Sequence, residues 1–407
     1  MRKILFVLPI IALVLCLVLV LMMTGVLNFP EFRPSPSSSP TTSVTTKPSS
    51  TTETESKDYV RQNMVAISLP ELNESILSED GVTLFRHTFQ DVVLHSPNPQ
   101  INAAVTLDLL QRMDVNAATV AILEDLVQYY TPGTEWNTLY YDLLYTPTRV
   151  DNAVLSLKAT EGIYSGSGEA SYSTVCVNYY MPTGSVMTLS QILSEESSAQ
   201  DALLQALLHV LTKNAAAWGL FEDYSESIIR YFPSYLEQES IWYFTSEGLN
   251  ICFAPYEIAP HSSGTVIATI PYEDLKGIVR QDILPIEQSE VVGLLNVLDL
   301  STALLDGYTR FAECILSPEG VNHLITTDTI LYDVRLELGV YEEGRGFTPS
   351  STVFAANSLC SDQAIRLCWN PNSQQLRLRC TTGGKAQSFQ LSVDPNGNID
   401  LHPITVE

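Results

Sequence analysis

Apolar and polar residues alternate with the period of a β-strand over long parts of the chain. The alternation is visible at 64–72 and 82–95, and it is clearest at Leu139–Val150, Ala153–Tyr164 and Ala170–Tyr180. Successive side chains of a strand point to opposite faces, so this pattern predicts strands with one buried face. Further short alternating runs follow between Thr329 and His402, and they predict that the last part of the chain is also rich in strands.

Helical spacing, with apolar residues three or four positions apart, lies between these runs. It predicts helices over Asn98–Met113, Ala117–Tyr129, Ser198–Trp218 and Glu290–Leu305. The sequences NPNS at 370–373 and DPNGN at 394–398 are typical of hairpin turns. Helices and strands are grouped rather than strictly alternating, which favours an α+β fold.

The first residues differ in character from all the others. Arg2 and Lys3 precede an apolar run from Ile4 to Val26, whose 23 residues are long enough to cross a bilayer. The run is longer than the apolar core of a cleaved signal peptide, and no small-residue cleavage site follows it. The basic pair favours a cytoplasmic start. We therefore expect residues 1–28 to be a cytoplasmic tip and an uncleaved single-pass transmembrane anchor, with the C-terminal part extracellular.

Residues 29–58 are dominated by Pro, Ser and Thr and contain no apolar period. Such a segment buries too little surface to offset the entropy cost of ordering, so it is expected to be a disordered linker. Two folded regions are expected after it, an α+β ectodomain at 59–285 and a small β-rich C-terminal domain at 286–407.

The net charge excludes one class of partner. The chain has 46 acidic and 21 basic side chains and a net charge of −25. Such a surface repels nucleic acid and anionic lipid, and it attracts cationic partners. High negative charge also serves solubility alone, and the sequence leaves both interpretations open.

Six cysteines lie outside the apolar leader, an even number that permits three disulfides with 15 pairings. Cys176 and Cys252 fall in strand-like runs of the central region, whereas the other four lie in the last part: Cys314, Cys360, Cys368 and Cys380. A bridge within each group is one interpretation, and free buried thiols are the other.

The segment FAPYEIAPHSSGTVIATIPYEDL, at 253–275, sets Glu257 between Pro255 and Pro260. Proline fixes its own backbone and restricts the residue before it, so this stretch forms neither a helix nor a full strand ladder. Glu257 then has three candidate roles. It accepts hydrogen bonds from unpaired backbone groups of the corner, it contacts a partner, or it reacts as a carboxylate, although no second acid, base or metal ligand accompanies it.

The same segment resembles a bacterial domain of unknown function, the extracellular domain shared by RsiV-type anti-sigma factors and the N-terminal part of PdaC-type peptidoglycan deacetylases. Twelve residues fit the usual pattern of that family: Phe253, Pro255, Tyr256, Glu257, Ile258, Ala259, Pro260, Gly264, Ile270, Pro271, Tyr272 and Leu275. The similarity extends over roughly Met64–Pro285. It implies an extracellular domain of the cell envelope.

RsiV-type ectodomains bind lysozyme, so the resemblance implies a partner-binding role at this corner, with a purely structural role as the alternative. The residues concerned are Tyr256, Glu257, Pro260 and Tyr272. Two features depart from the family. The chain has SGSGEA at 165–170 where the family often has a Gly-Gly-Ala-His-Gly-like loop, and we expect no cytoplasmic domain that could hold a sigma factor.

Motifs for catalysis are missing from the sequence. No two of the six histidines are four residues apart, and neither His-Glu-x-x-His, Cys-x-x-Cys nor Gly-x-Ser-x-Gly occurs. We therefore expect no catalytic residue, cofactor or metal. The leading hypothesis is a membrane-anchored extracellular binding protein for a cationic protein such as lysozyme, or for a wall glycan. A peptidoglycan-modifying enzyme or its accessory subunit, and a structural envelope component, are the alternatives.

Overall fold

A computed structural model describes residues 63–404 except Val115, 301–307, Thr309, 343–345 and 395–398. The predicted anchor at 1–28 and linker at 29–58 lie outside the described residues, as does most of the predicted DPNGN turn. Across the described ranges, no helix combines the length and hydrophobicity needed to cross a bilayer.

The described residues are rich in strands and contain few helices, so the predicted α+β class is confirmed. The strands are β1 (Ala66–Ser68), β2 (Glu71–Leu77), β3 (Thr83–Gln90), β4 (Val93–His95), β5 (Leu139–Val150), β6 (Val154–Tyr164), β7 (Ser171–Tyr180), β8 (Ser185–Val186), β9 (Trp242–Phe244), β10 (Gly248–Phe253), β11 (Val266–Pro271), β12 (Leu295–Asp299), β13 (Arg310–Ile315), β14 (Val321–Thr327), β15 (Ile330–Glu342), β16 (Gly346–Cys360), β17 (Gln363–Trp369), β18 (Gln375–Thr382), β19 (Lys385–Val393) and β20 (Ile399–Pro403). The helices are α1 (Pro99–Asp114), α2 (Ala117–Leu126), α3 (Ala199–Trp218), α4 (Tyr224–Leu236) and the single turn α5 (Tyr272–Leu275).

Four sheets organise these strands. A six-stranded sheet has the order β2-β3-β5-β6-β7-β8, and a three-stranded sheet has the order β11-β10-β9. The C-terminal part contributes a four-stranded sheet, β12-β14-β17-β13, and most of a seven-stranded sheet, β20-β19-β18-β15-β16-β1-β4.

The predicted alternation in the centre of the chain is confirmed, and it places the first core. Along β5, every second residue from Leu139 to Tyr145 is buried. These residues pack against Val105 and Leu109 of α1 and Leu123 of α2. The two helices therefore cover one face of the six-stranded sheet. A second core joins α3 and α4 to the three-stranded sheet.

The predicted helix at Glu290–Leu305 is wrong over its described part. Residues 295–299 form β12, because the backbone N–H groups before it bond to neighbouring segments and not within a helix. Gly293 donates its N–H to Thr382 Oγ1 at 2.6 Å, and Leu294 donates its N–H to Asp328 Oδ1 at 2.7 Å.

Two further differences concern a turn and a missed helix. The NPNS turn does not close a hairpin, because β17 before it and β18 after it belong to different sheets. Helix α4 was not predicted. Its buried residues Ile228, Phe232 and Leu236 are spaced by four, but Pro233 and three tyrosines obscure the pattern.

The predicted division at residue 285 stays a prediction, and one strand bears on it. β1 lies in the seven-stranded sheet between β16 and β4, with Ala66 opposite Ala356. The first described strand of the chain therefore completes a sheet whose other members come mainly from the last 80 residues.

Candidate functional site

A cavity of about 650 Å³ lies where the β5–β6 turn, the three-stranded sheet and the seven-stranded sheet meet. Pockets that bind small ligands have volumes of about 300–1,000 Å³. The charged residues that line it are three arginines and three aspartates: Arg149, Arg335, Arg379, Asp151, Asp282 and Asp333. Its lining is thus neutral in a chain of charge −25, so positive charge is concentrated here relative to the rest of the surface.

Arg149 forms the buried wall of the cavity. Its Nε donates to Asp151 Oδ2 at 2.7 Å, its Nη1 to the Tyr272 hydroxyl at 3.0 Å, and its Nη2 to the carbonyl oxygen of Ile283 at 2.7 Å. Burial alone would lower the pKa of Arg149, but the Asp151 charge and these hydrogen bonds hold that pKa above its ordinary value. The guanidinium is therefore a fixed positive charge that joins three separate segments of the chain.

Asp151 connects this arginine to the backbone. Its Oδ1 accepts hydrogen bonds from the N–H groups of Ala153 and Val154, at 2.8 and 2.7 Å, and shapes the β5–β6 turn. An aspartate that bonds to backbone groups two and three residues ahead is a common way to fix a turn. The wall is thus held rigidly before any ligand arrives.

Arg335 and Arg379 form the opposite wall, on β15 and β18. Arg335 donates to Asp333 Oδ1 at 2.8 Å and to the carbonyl oxygen of Pro147 at 2.6 Å, so it is largely satisfied. The Arg379 guanidinium has a weaker contact, 3.6 Å from Glu337 Oε1, and its side chain is 39% exposed. Arg379 therefore retains donors that can reach a ligand.

The two arginines are direct cross-strand partners in the register of β15 and β18. Like charges that face each other across a strand pair are destabilising. A bound anion would relieve that repulsion, and a guanidinium matches the geometry of a carboxylate with two parallel hydrogen bonds. The arrangement is therefore suited to an acidic ligand group.

The residues proposed from the sequence separate into two places. Tyr272 lines the cavity, where its hydroxyl accepts from Arg149 and donates to the carbonyl oxygen of Thr245 at 2.8 Å. Tyr256, Glu257 and Pro260 lie in the loop that joins β10 to β11, at the other end of that hairpin. Five residue steps of a strand cover about 17 Å, so the two places are not one site.

Glu257 is bound within its own corner. Its Oε2 accepts from the N–H of Ala254 at 2.8 Å, and its Oε1 accepts from the hydroxyl of Tyr235 at 2.6 Å. Burial, together with this hydrogen bond, raises the pKa of Tyr235. The structural role that the sequence suggested for Glu257 is the role that these contacts fulfil.

The six cysteines of the described residues are thiols in this structure, and the predicted bridges stay a prediction. Cys176 and Cys252 are in contact and pack with Tyr243 in a small buried cluster. The hydrogen bond between the two thiols raises the pKa of Cys176 and lowers that of Cys252. The remaining four are buried in the C-terminal sheets: Cys314, Cys360, Cys368 and Cys380.

Sequence reasoning missed the three arginines of the cavity. The sequence contained one indication that Arg149 is important. The alternation of β5 places it at a buried position, where a charged side chain needs partners. Arg335 and Arg379 gave no such sign, because their pairing depends on the register of two strands more than 30 residues apart. In the part of the chain that the structure describes, no group of three His, Cys, Asp or Glu residues is placed to hold a metal ion.

Comparison with known families identifies part of this architecture. Residues 189–273 match a family described as "Protein of unknown function (DUF3298)". This part of the chain is similar to the DUF3298 family. The matched residues include α3, α4 and the β10–β11 hairpin, whereas the three cavity arginines lie outside them.

Two solved DUF3298 family structures are similar to this chain. One, from Bacteroides fragilis, is 13% identical, covers 53% of this chain and 94% of its own, and has a TM-score of 0.39. The other, from Pseudomonas aeruginosa, is 17% identical, covers 54% of this chain and 97% of its own, and has a TM-score of 0.36. Neither likeness supports a functional conclusion, and no curated protein matches the chain.

Proposed function

We propose that this protein is a membrane-anchored extracellular binding protein of the bacterial cell envelope, and that its cavity binds a carboxylate-bearing fragment of the cell wall. The cross-strand pair of Arg335 and Arg379 carries the proposal, because both arginines line the cavity and the more exposed Arg379 has donors left for a carboxylate. The location rests on the apolar run from Ile4 to Val26 and on the resemblance to RsiV-type ectodomains.

The uncharged part of the lining suits the rest of such a ligand. Hydroxyl and amide side chains line the cavity: Thr148, Asn152, Thr245, Ser246, Gln281 and Gln288. These groups both donate and accept hydrogen bonds, as the hydroxyl and acetamido groups of wall sugars do. Leu284, Pro285 and Ile286 add an apolar side. Pockets with mixed lining of this kind bind ligands with few charges and many hydrogen bonds.

A matched pair of sugars tests the proposal. N-acetylmuramic acid carries a carboxylate that N-acetylglucosamine lacks. We expect the full-length chain to bind the acid at least tenfold more tightly in calorimetric titration, because a charge-assisted pair contributes about 1.5–3 kcal/mol. The Arg379→Gln variant should lose that preference.

Arg366→Gln is the control, since Arg366 has nearly the same side-chain exposure, 38% against 39%, but lies in the four-stranded sheet. It should bind the acid as the unaltered chain does. Equal binding of both sugars, or an Arg379→Gln variant that keeps its preference, would contradict the proposal.

On this proposal the protein is not an enzyme and the cavity holds its ligand unchanged. A wall-modifying activity remains the alternative. Turnover of peptidoglycan fragments by the full-length chain, lost in Glu257→Ala, would favour that alternative over binding alone.

A second candidate is docking of a cationic protein at the β10–β11 corner, and Tyr256 favours it. This tyrosine is 70% exposed and has a φ of +70°, a backbone conformation that bulky residues rarely adopt. Strain that exposes an aromatic ring is typical of contact surfaces. Titration with a basic lysozyme at low salt tests this role. Tyr256→Ala should weaken binding, whereas a titration without heat or signal would exclude this partner.

A further inference from the structure

The face of the six-stranded sheet that α1 and α2 do not cover carries three tyrosines close together. We call Tyr140, Tyr164 and Tyr172 the tyrosine surface. Tyr140 of β5 is opposite Tyr164 of β6, and Tyr172 of β7 is opposite Gly162 of β6. Residues 162 and 164 share a face of their strand, so the three rings lie on one side of the sheet.

The rings are held in place by one another. The hydroxyl oxygens of Tyr140 and Tyr172 are 2.8 Å apart, and the centroids of the Tyr140 and Tyr164 rings are 5.7 Å apart. Gly162 makes room for them, because a Cβ there would lie 3.1 Å from Tyr172 Cε1 and 3.7 Å from Tyr140 Cε2. The hydrogen bond to Tyr172 raises the pKa of Tyr140 to about 12, so the Tyr140 phenol is uncharged at neutral pH.

A neutral ion pair borders the rings. Arg86 donates from Nη2 to Asp142 Oδ2 at 2.8 Å, and its guanidinium carbon lies 5.3 Å from the centre of the Tyr140 ring. The edge of the surface thus offers exposed N–H donors without net charge. Such donors bond to hydroxyl groups, whereas the exposed Tyr172 ring and the half-buried Tyr140 and Tyr164 rings offer apolar surface.

The combination selects among molecules that stack on aromatic rings. Nucleobases and sugars both do so, but a chain of charge −25 repels the phosphates of a nucleic acid. The C–H bonds on one face of a pyranose ring carry partial positive charge and meet the negative face of an aromatic ring. Three adjacent strands place the rings across about 10 Å, the extent of a short run of sugars.

We propose that the tyrosine surface binds a neutral polysaccharide chain, with sugar rings stacked on Tyr140, Tyr164 and Tyr172 and hydroxyl groups bonded at the Arg86–Asp142 edge. This site is separate from the cavity and takes an uncharged polymer, whereas the cavity takes an acidic fragment. The two sites would give one chain two contacts with the same wall.

Co-sedimentation with insoluble chitin and titration with chitohexaose, a neutral N-acetylglucosamine oligomer, test the proposal on the full-length chain. We expect Tyr172→Ala to weaken binding about tenfold, because the variant loses one of the three stacking rings. Tyr172→Phe keeps the ring and should retain most of the affinity. Tyr129→Ala is the control, because Tyr129 is 72% exposed, against 67% for Tyr172, but lies beyond α2.

Each other outcome overturns the proposal. If chitohexaose does not bind, or if Tyr129→Ala weakens its binding as much as Tyr172→Ala does, the stacking role is wrong. Tighter binding of an oligothymidylate than of chitohexaose would assign the surface to nucleobases. A dimer in sedimentation velocity that Tyr172→Ala dissociates would assign it to a second copy of the chain. Arg379→Gln should leave chitohexaose binding unchanged, so failure here is distinguishable from failure at the cavity.

Discussion

A charged side chain lies at each end of the β10–β11 hairpin, and the two charges have different kinds of hydrogen-bond partner. At the loop end, the charge of Glu257 is satisfied by Ala254 and Tyr235, all within or beside one corner. At the open end, Arg149 pairs with Asp151 in its own turn and also donates to two groups distant in sequence, the Tyr272 hydroxyl and the Ile283 carbonyl oxygen. Glu257, which its two prolines make conspicuous in the sequence, stabilises a loop. Arg149, which no motif marks, connects the segments that line the cavity.

The largest effect is expected at the open end. Arg149→Met leaves Asp151, whose side chain is 25% exposed, without its ion-pair partner, and it removes the donor to the Ile283 carbonyl oxygen. Loss of one member of such a partly buried pair costs about 3 kcal/mol, the lower end of the range for buried pairs. We expect the free energy of unfolding, from urea denaturation followed by circular dichroism, to fall by that amount. Arg149→Lys keeps the positive charge but cannot make all three hydrogen bonds. Its free energy of unfolding should lie between that of the unaltered chain and that of Arg149→Met. If the free energy of unfolding falls less in Arg149→Met than in Glu257→Gln, the expected order of the two ends is wrong.

A smaller effect is expected at the loop end. Glu257→Gln weakens two hydrogen bonds to a charged acceptor, a loss of about 2 kcal/mol in the free energy of unfolding. Because Tyr235 is one of the donors, a double-mutant cycle with Tyr235→Phe should give clearly less than the sum of the single effects. Binding of N-acetylmuramic acid should be unchanged. If that binding falls with Glu257→Gln, the two ends are not independent.

Alkaline pH is expected to act on both ends in the same direction. Burial raises the pKa of both Tyr235 and Tyr272 above the unfolded value near 10. The native state then holds its protons longer than the unfolded state, so the stability from these groups is complete below pH 10 and declines as pH rises further. We expect the loss of stability between pH 9 and 11 to be shallower in Tyr235→Phe and in Tyr272→Phe. If the dependence of stability on pH is unchanged in either variant, the hydroxyl removed in that variant does not contribute to it.

The smallest effect is expected at Cys252, near the loop end of β10. Its hydrogen bond with Cys176, aided by Lys158, lowers its pKa, whereas burial raises the pKa of Cys314 and of Cys380 to about 12. Thiolate is the reactive form, so iodoacetamide should modify Cys252 before the other two. Peptide mass spectrometry measures the order. Resistance of Cys252 that disappears after reduction would instead indicate the disulfide that the sequence permits.

Local patterns carried much of the fold. The alternation in β5, β6 and β7 and the spacing in α3 follow from each segment's own residues, so they could be predicted to within a residue or two. The run at 290–299 could not, because a short apolar segment satisfies both periods. Backbone N–H groups of this run donate to the side chains of Thr382 and Asp328, which are distant in sequence, and these hydrogen bonds favour the strand.

The same limit explains the site. Glu257 was visible because its two prolines are adjacent to it. Arg335 and Arg379 became a site only through the register of β15 and β18, which no local pattern encodes. Residues that depend on neighbours in sequence were found, and residues that depend on neighbours in space were not.

The position of β1 has a consequence for the making of the protein. Ala66 pairs with His95 on one side and with Ala356 on the other, so one edge of a strand synthesised early waits for a partner that is synthesised some 290 residues later. Contacts between such distant residues form slowly, because a long loop must close before they stabilise the chain. The newly made chain therefore keeps one edge of this apolar strand unpaired until its synthesis is nearly complete, and an unpaired strand edge favours aggregation during that interval.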